Sequence, residues 1–186
     1  MHNSEENPWK ITSEKHIYEN PWISLTEYQV ITPGGSPGIY GRVHFKNTAI
    51  GVIALDDELN AYLVGQFRFA IDQYSWEIPE GGGPLGIAPL DSAKRELLEE
   101  TGLKAREWTE LQHIHLSNSV SDEPGIIYLA RGLEQFEAEP EDTEQLIIKK
   151  VHFEEAYRMV CDNKITDSLS VAGILRIKLM LLEGKL

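Results

Sequence analysis

The fold of this chain has to accommodate a glycine-rich loop that runs directly into a strongly acidic helix pattern. Residues 81–103 read GGGPLGIAPLDSAKRELLEETGL. Pro89 suits the first turn of a helix, Asp91 complements the positive end of the helix dipole, and Gly102 can take the left-handed conformation that ends a helix. These signals predict a helix from about residue 89 to residue 101.

Three carboxylates of the predicted helix point in one direction. At about 100° of rotation per residue, Glu96, Glu99 and Glu100 share an arc roughly 100° wide, and Ala93 and Leu97 lie beside it as a packing stripe. Clustered like charges destabilise a helix unless a cation neutralises them, and a hard divalent cation prefers oxygen ligands. From the helix alone, a solvated surface helix in an acidic protein is the simpler interpretation, so the preceding loop decides.

The loop and the helix together resemble a known signature. Gly81, thirteen further residues and the run RELLEETGL at residues 95–103 match the Nudix box, the signature of the Nudix hydrolase family. One position departs from it, because the box normally has a glutamate six residues after its first glycine and here that residue is Ile87. In the family that acid usually supports the metal site rather than forming its centre.

This resemblance implies an α/β fold, the Nudix α/β/α sandwich, with an antiparallel β-sheet extension at the N-terminus. It also implies metal binding by the side chains of Glu96, Glu99 and Glu100. The backbone carbonyl of Glu80 would join this shell around Mg²⁺, for which Mn²⁺ can substitute. Arg95 would orient a carboxylate of the helix rather than contact the substrate, and Glu99 would serve catalysis as well as metal binding.

The flanking sequence narrows the resemblance to the ADP-ribose and nucleoside diphosphate sugar pyrophosphatases. Residues 64–68 (VGQFR) and 76–81 (WEIPEG) look like the strand and the lead-in to the box in that branch. The resemblance implies that Arg68 contacts the substrate phosphates, because a guanidinium offers paired donors to paired oxygens. The alternative is a structural ion pair between Arg68 and a nearby acid.

In the same branch, an N-terminal strand region exchanges contacts with a second subunit, and aromatic residues sandwich the nucleotide base. Trp22 and Tyr40 stand where those aromatic residues are expected, although ordinary core packing is the alternative for each. We therefore predict a homodimer. The expected organisation is an N-terminal β extension at residues 1–47, which forms the dimer, and a Nudix catalytic domain at residues 48–186.

The loop at residues 116–123 (LSNSVSDE) occupies the place of the loop that supplies the general base in this branch. Glu123 matches that base, and the alternative is that Asp122 and Glu123 are solvated turn residues. Where the branch often has Ser-Pro-Gly, this chain has Ser-Asn-Ser at residues 117–119. That departure concerns the identity of the substrate more than the chemistry.

Apolar and alternating runs place the remaining elements. Strands are predicted at residues 9–18, 22–32, 39–46, 49–55, 61–69, 107–116 and 125–129, and helices at 152–162 and 168–182. This order of strands, helix, strands and helices suits an α/β sandwich.

Composition agrees with one compact enzyme that acts on a small molecule. A chain of 186 residues can build one substantial core, and a net charge of −13 argues against a nucleic acid or an anionic membrane as partner. Cys161 is the only cysteine and is expected in the core, so an intrachain disulfide is excluded and a reducing cytoplasm is the expected location. With neither a signal peptide nor an apolar run of about 20 residues, we expect a soluble protein.

The sequence therefore predicts Mg²⁺-dependent hydrolysis of the pyrophosphate bond of a nucleoside diphosphate sugar or ADP-ribose. The products would be a nucleoside monophosphate and a sugar phosphate. Two alternatives stay open. The chain could be a non-catalytic nucleotide-binding Nudix module, since Ile87 breaks the box, or a hydrolase of another nucleoside diphosphate derivative such as a dinucleoside polyphosphate.

Overall fold

The computed structural model describes residues 6–136 and 146–186. The strands of these residues are β1 (Lys10–Glu19), β2 (Ile23–Ile31), β3 (Pro37–Phe45), β4 (Asn47–Ala54), β5 (Asn60–Arg68), β6 (Gln73–Glu77), β7 (Glu80–Pro84), β8 (Leu103–His115), β9 (Pro124–Gln135) and β10 (Ile147–His152). The helices are α1 (Pro89–Thr101), α2 (Phe153–Cys161) and α3 (Ser168–Leu182), and a short 3₁₀ turn, Phe69–Ile71, follows β5.

These strands form three sheets. The first has the order β1-β2-β3 and is antiparallel throughout. The second has the order β10-β5-β6, also antiparallel, and the third has the order β7-β4-β9-β8, in which β4 and β9 run parallel while β8 and β9 run antiparallel. The predicted mixed α/β class is confirmed.

The chain divides into two compact units. The N-terminal unit comprises the residues up to Asn47 together with Ser117–Glu123, and the main unit comprises Thr48–Leu116 and Pro124–Leu186. The loop 117–123, which the sequence placed inside the catalytic domain, therefore groups with the N-terminal sheet. The reason lies in β3, an edge strand whose free backbone groups at Val43 receive the loop: its N–H donates to Val120 O (2.9 Å) and its C=O accepts from Asp122 N–H (3.2 Å).

The four-stranded sheet of the main unit is buried on both faces. Along β4, Ile50 and Val52 pack on one face with Leu97 of α1, whereas Ile53 packs on the other face with Ile174 of α3. Side chains of a strand alternate between the two faces of its sheet, so one apolar run supplies both cores. The result is a layer of helix, sheet and helix, as the resemblance implied.

Helix α1 begins and ends where the sequence predicted. Pro89 occupies its first turn, Asp91 is the acidic residue of that turn, and Gly102 ends the helix with φ 69°. The amide of Gly102 donates to Leu98 O (2.8 Å), which satisfies a carbonyl that the helix leaves free. The C-terminal end of α1 is thereby capped.

The structure differs from the sequence prediction in three strands and at Cys161. Strand β7 was missed because its sequence EGGGP has little strand propensity and forms a strand only by pairing with β4. Strands β6 and β10 were missed as well. Cys161, expected in the core, is exposed, because the buried face of α2 is formed by Phe153, Ala156 and Met159.

The helices within residues 6–136 and 146–186 are α1, α2 and α3. None of them could serve as a membrane-spanning helix.

Candidate functional site

The acidic face of α1 lies against the start of the glycine-rich loop. Glu96 and Glu100 are only 8% and 2% exposed, while Glu99 is more open to solvent. The backbone N–H of Glu80 donates to Glu100 Oε2 at 3.0 Å. The acidic face of α1 is therefore not a solvated helix surface, because two of its three carboxylates are buried.

Gly81 permits this close approach. A Cβ atom at residue 81 would overlap the carboxyl group of Glu96, so every other residue would displace that carboxylate or the backbone. The first glycine of the loop is thus required by the position of a single functional side chain. Strand β7 and helix α1 meet at this point.

Arg95 holds the acidic residues together. Its Nη1 donates to Glu99 Oε2 at 2.7 Å, and its Nη2 donates to Glu96 Oε1 at 2.6 Å and to the carbonyl of Gly82 at 3.0 Å. One guanidinium therefore spans two carboxylates of α1 and the loop backbone. This geometry suits the orienting role that the sequence assigned to Arg95.

The donor set fits a hard divalent cation, because it combines buried carboxylates with backbone carbonyls. Within the part of the chain that the structure describes, however, no three His, Cys, Asp or Glu side chains are already gathered around one metal position. The contacts give the reason: Glu96 and Glu99 are turned onto Arg95, and Glu100 onto the amide of Glu80. Glu96, Glu99 and Glu100 are the residues that would hold the cation.

Arg68 sits at the end of β5 between two acids. Its Nε lies 3.0 Å from both carboxylate oxygens of Glu77, and its Nη2 donates to Glu77 at 2.5 Å and to Glu80 at 2.7 Å. The ion pair considered from the sequence is therefore present. It occupies the Nε and Nη2 donors. Among the described residues, none accepts a hydrogen bond from the two N–H groups of Nη1, which can therefore donate to a substrate oxygen.

The side chain of Glu80 is deeply buried beside further acids. Burial raises its pKa well above the ordinary range, and the charges of Asp167 and Glu77 raise it further, while Arg68 partly offsets them. The charged form of this carboxyl group is therefore less favoured than that of a solvent-exposed glutamate. Its Oε1 accepts from Arg68.

Glu123 belongs to the N-terminal unit and is half-buried. Burial raises its pKa, and the neighbouring charge of Asp122 raises it further. Asp122 itself is held by His44 Nδ1 at 2.8 Å and by the amide of Phe45 at 3.1 Å. A carboxylate with a raised pKa is a better proton acceptor near neutral pH than an ordinary glutamate.

Trp22 and Tyr40 lie far apart in the N-terminal sheet. Tyr40 pairs with Tyr28 in register, and Trp22 lies just before β2, six residues from Tyr28 along the chain, which spans about 20 Å at the rise of a strand. Tyr40 lines an apolar cavity with Trp9, which it meets edge to face at 5.4 Å, whereas Trp22 is 68% exposed and does not line it. The two predicted residues do not form a sandwich within one N-terminal sheet.

Comparison with known families decides what this arrangement is. Residues 45–165 match the model of the NUDIX domain, and residues 9–43 match that of the nucleoside diphosphate sugar hydrolase N-terminal domain. The chain belongs to the Nudix family. The resemblances to the Nudix box and to its nucleoside diphosphate sugar branch are thereby confirmed.

Individual relatives agree with this. An ADP-ribose pyrophosphatase of Mycobacterium tuberculosis is 32% identical over 92% of this chain and 84% of its own length. One of Bacillus subtilis is 28% identical over 91% of this chain and 92% of its own. A crystal structure of an ADP compounds hydrolase has a TM-score of 0.84 at 17% identity and covers 96% of this chain and 97% of its own, which shows the same fold.

The Nudix box departs from its pattern only at a surface position. Ile87 is 54% exposed, and its amide donates to Pro84 O at 3.1 Å in a turn before α1. The isoleucine therefore does not plug the core. A charged side chain at this position would meet solvent rather than apolar packing.

Two further groups of residues support the site and were not assigned from the sequence. Glu77, in the WEIPEG segment at residues 76–81, is 2% exposed and accepts hydrogen bonds from Arg68. Asp167 and Ser170 begin α3, where Asp167 caps the helix by accepting from Ser170 N–H at 2.8 Å. The Asp-x-x-Ser spacing is a recognisable cap signal, but a cap alone does not indicate a contact with a site.

Replacing Gly81 by alanine is expected to lower metal-dependent turnover by about 10-fold or more, the usual cost of disturbing the partners of a metal ligand. The added Cβ would push away the Glu96 carboxyl group, which is the flexible end of a side chain, so the fold should survive. Gly34→Ala is the matched control, because its Cβ would come no closer than 3.8 Å to the side chain of Thr32. Equal turnover of the two variants over a magnesium titration would contradict the role of Gly81.

Proposed function

We propose that the protein hydrolyses the pyrophosphate bond of ADP-ribose or a nucleoside diphosphate sugar with Mg²⁺, releasing a nucleoside monophosphate and a sugar phosphate. The observation that carries the proposal is the burial of Glu96 and Glu100 against the backbone at Glu80 and Gly81. Two buried carboxylates beside the loop backbone offer the oxygen ligands that a hard cation prefers, and Arg95 holds one of them in place. The names of the relatives support this class of substrate.

Each residue has a distinct task in the proposed reaction. The metal would neutralise the phosphate oxygens and lower the pKa of water. Glu96, Glu99 and Glu100 supply ligand oxygens with the carbonyl of Glu80, and Arg95 keeps the carboxylates of α1 in place.

The remaining two residues act on the reactants. The Nη1 group of Arg68 donates to a phosphate oxygen, and Glu77 holds that side chain in place. Glu123 takes the proton from the attacking water, for which its raised pKa suits it. In this scheme Trp22 and Tyr40 stack on the base, and their separation within one chain means that a second copy has to supply one of them.

The direct test is a substrate panel. ADP-ribose, several nucleoside diphosphate sugars and a dinucleoside polyphosphate are incubated with the protein, with and without Mg²⁺ and with Mn²⁺ as a second metal. Phosphate release after addition of alkaline phosphatase measures the hydrolysis. Metal-dependent turnover of ADP-ribose or the nucleoside diphosphate sugars supports the proposal. A preference for the dinucleoside polyphosphate would assign the enzyme to that substrate instead. Binding without turnover favours a non-catalytic module.

Ile87→Glu tests the departure from the box. We expect an active wild type, and we expect the variant to reach half-saturation at equal or lower Mg²⁺ with little change in saturated turnover, because the new acid adds negative charge near the metals. Ile87 is exposed, so the substitution should leave the melting temperature nearly unchanged. An inert wild type beside an active Ile87→Glu would identify Ile87 as the mark of a lost catalyst.

A homodimer is the proposed oligomeric state. All ten residues of β1 are exposed, β1 is an edge strand, and Ile11, Ile17 and Tyr18 are each at least 46% exposed. An edge strand with exposed apolar side chains is a template for pairing with another chain. Light scattering at micromolar concentration should give twice the 21.0 kDa mass of the chain, and a monomer would count against the shared base site as well.

A further inference from the structure

The amide of Ile78 depends on a side chain from a distant helix. Ile78 lies between β6 and β7, and its backbone N–H donates to Ser170 Oγ at 2.9 Å, with Ser170 fully buried. A buried amide without a partner is costly, so this hydroxyl supplies an acceptor that neither strand provides. Asp167 fixes Ser170 in turn by capping α3.

The residues that follow Ile78 are held from the other side. The carbonyl of Pro79 accepts from Val52 N–H at 2.8 Å, and the N–H of Glu80 donates to Glu100 Oε2 at 3.0 Å. The segment from Ile78 to Glu80 is therefore held by hydrogen bonds to β4 and α1 on one side and to α3 on the other. Two peptide units separate the Ile78 amide from the carbonyl of Glu80, so these two groups belong to one short segment.

Packing brings α3 close enough for this contact. A Cβ at Gly51 of β4 would lie 2.9 Å from the Cδ1 of Ile78 and 3.3 Å from the Cβ of Leu169. The missing side chain lets the first turn of α3 and the segment after β6 meet over the sheet. Ser170 thus accepts from the Ile78 amide, while Leu169 and Ile78 both lie against Gly51.

We propose that Ser170 is a positioning residue of the metal site, acting through the Ile78–Glu80 segment to set where the Glu80 carbonyl points. This inference rests on the proposed function only in taking that carbonyl as a metal ligand. Its consequence is that metal affinity depends on a hydroxyl of α3 that is not itself a ligand. Outer partners of metal ligands commonly have such effects.

The test measures metal binding without substrate, by Mn²⁺ electron paramagnetic resonance and by Mg²⁺ calorimetry. Ser170→Ala should weaken Mn²⁺ binding about tenfold. Ile174→Val is the matched control, because it removes one methyl group from the packing of α3 and leaves the Ile78 hydrogen bond in place. It should lower the melting temperature similarly, yet bind Mn²⁺ like the wild type.

Two more variants keep the outcome decisive. Ser170→Thr retains the hydroxyl and should restore Mn²⁺ affinity even if the crowded site lowers the melting temperature. Ser170→Cys offers a weaker acceptor and should give an intermediate loss, which also serves if the alanine variant does not fold. Equal Mn²⁺ affinity of Ser170→Ala and Ile174→Val would overturn the inference. Absence of hydrolysis in the wild type would count against the proposed function alone, since this comparison uses no substrate.

Discussion

Glu100→Gln is expected to reduce turnover by more than the roughly 10–100-fold that is typical for an outer partner of a metal ligand. The amide keeps the shape of the side chain and can still accept from Glu80 N–H, so the hydrogen bond of 3.0 Å can persist. What disappears is the negative charge that a hard cation requires. Because the amide fills the same space and keeps this hydrogen bond, the fold should survive the substitution.

Metal-induced stabilisation provides the independent measurement. A ligand present at 100 times its Kd stabilises the folded state by about 2.7 kcal/mol, so Mg²⁺ should raise the melting temperature of the wild type and of Glu107→Gln. Glu107 is an exposed acid of β8, and its replacement makes the same change of charge outside the site. Glu100→Gln should lose most of this shift. Wild-type turnover in Glu100→Gln would reject the assignment of the metal face.

Glu123→Gln is expected to lower kcat by about 10²–10⁴-fold, the usual contribution of a general base, with little change in KM. The raised pKa of Glu123 gives a second observable. A base works only when it is deprotonated, so the activity of the wild type should fall with decreasing pH at a higher pH than an ordinary glutamate would produce. Residual activity of Glu123→Gln should lack this acidic limb.

Asp122→Asn is the matched comparison for the pH profile. Removing its charge eliminates the second cause of the raised pKa of Glu123, so the acidic limb should move to lower pH, while burial, the larger cause, remains. The fold disfavours the charged form of Glu123, so the contribution of this group to stability is lost as pH rises through the folded pKa. Glu123→Gln should therefore not be less stable than the wild type at neutral pH. An unchanged kcat in Glu123→Gln would exclude Glu123 as the base.

Local patterns in the sequence predicted the parts of the site that depend on local geometry. The helix from Pro89 to Thr101 was predicted at its observed bounds, because proline, an acidic first turn and a terminal glycine act within a few residues. That Glu96 and Glu100 share a face follows from their spacing alone. The exposed position of Cys161 shows the limit, since the buried side of α2 depends on what packs against it.

The tertiary structure decided which donors are already used. Only the contacts show that Glu77 and Glu80 occupy the Nε and Nη2 donors of Arg68, and only the register of β2 and β3 separates Trp22 from Tyr40. Strand β7 has no propensity of its own and forms because β4 offers it an edge.

The sequence by itself therefore determined the family, the acidic helix and the candidate ligands, all of which are written in short-range spacing. The folded chain determined how they are held. The loop Ser117–Glu123 groups with the N-terminal sheet because β3 has a free edge, and Ser170 reaches Ile78 across 92 residues because Gly51 lets α3 approach. Such contacts join residues that no local pattern relates, since they arise when separate apolar faces are buried together and the remaining backbone groups must find partners.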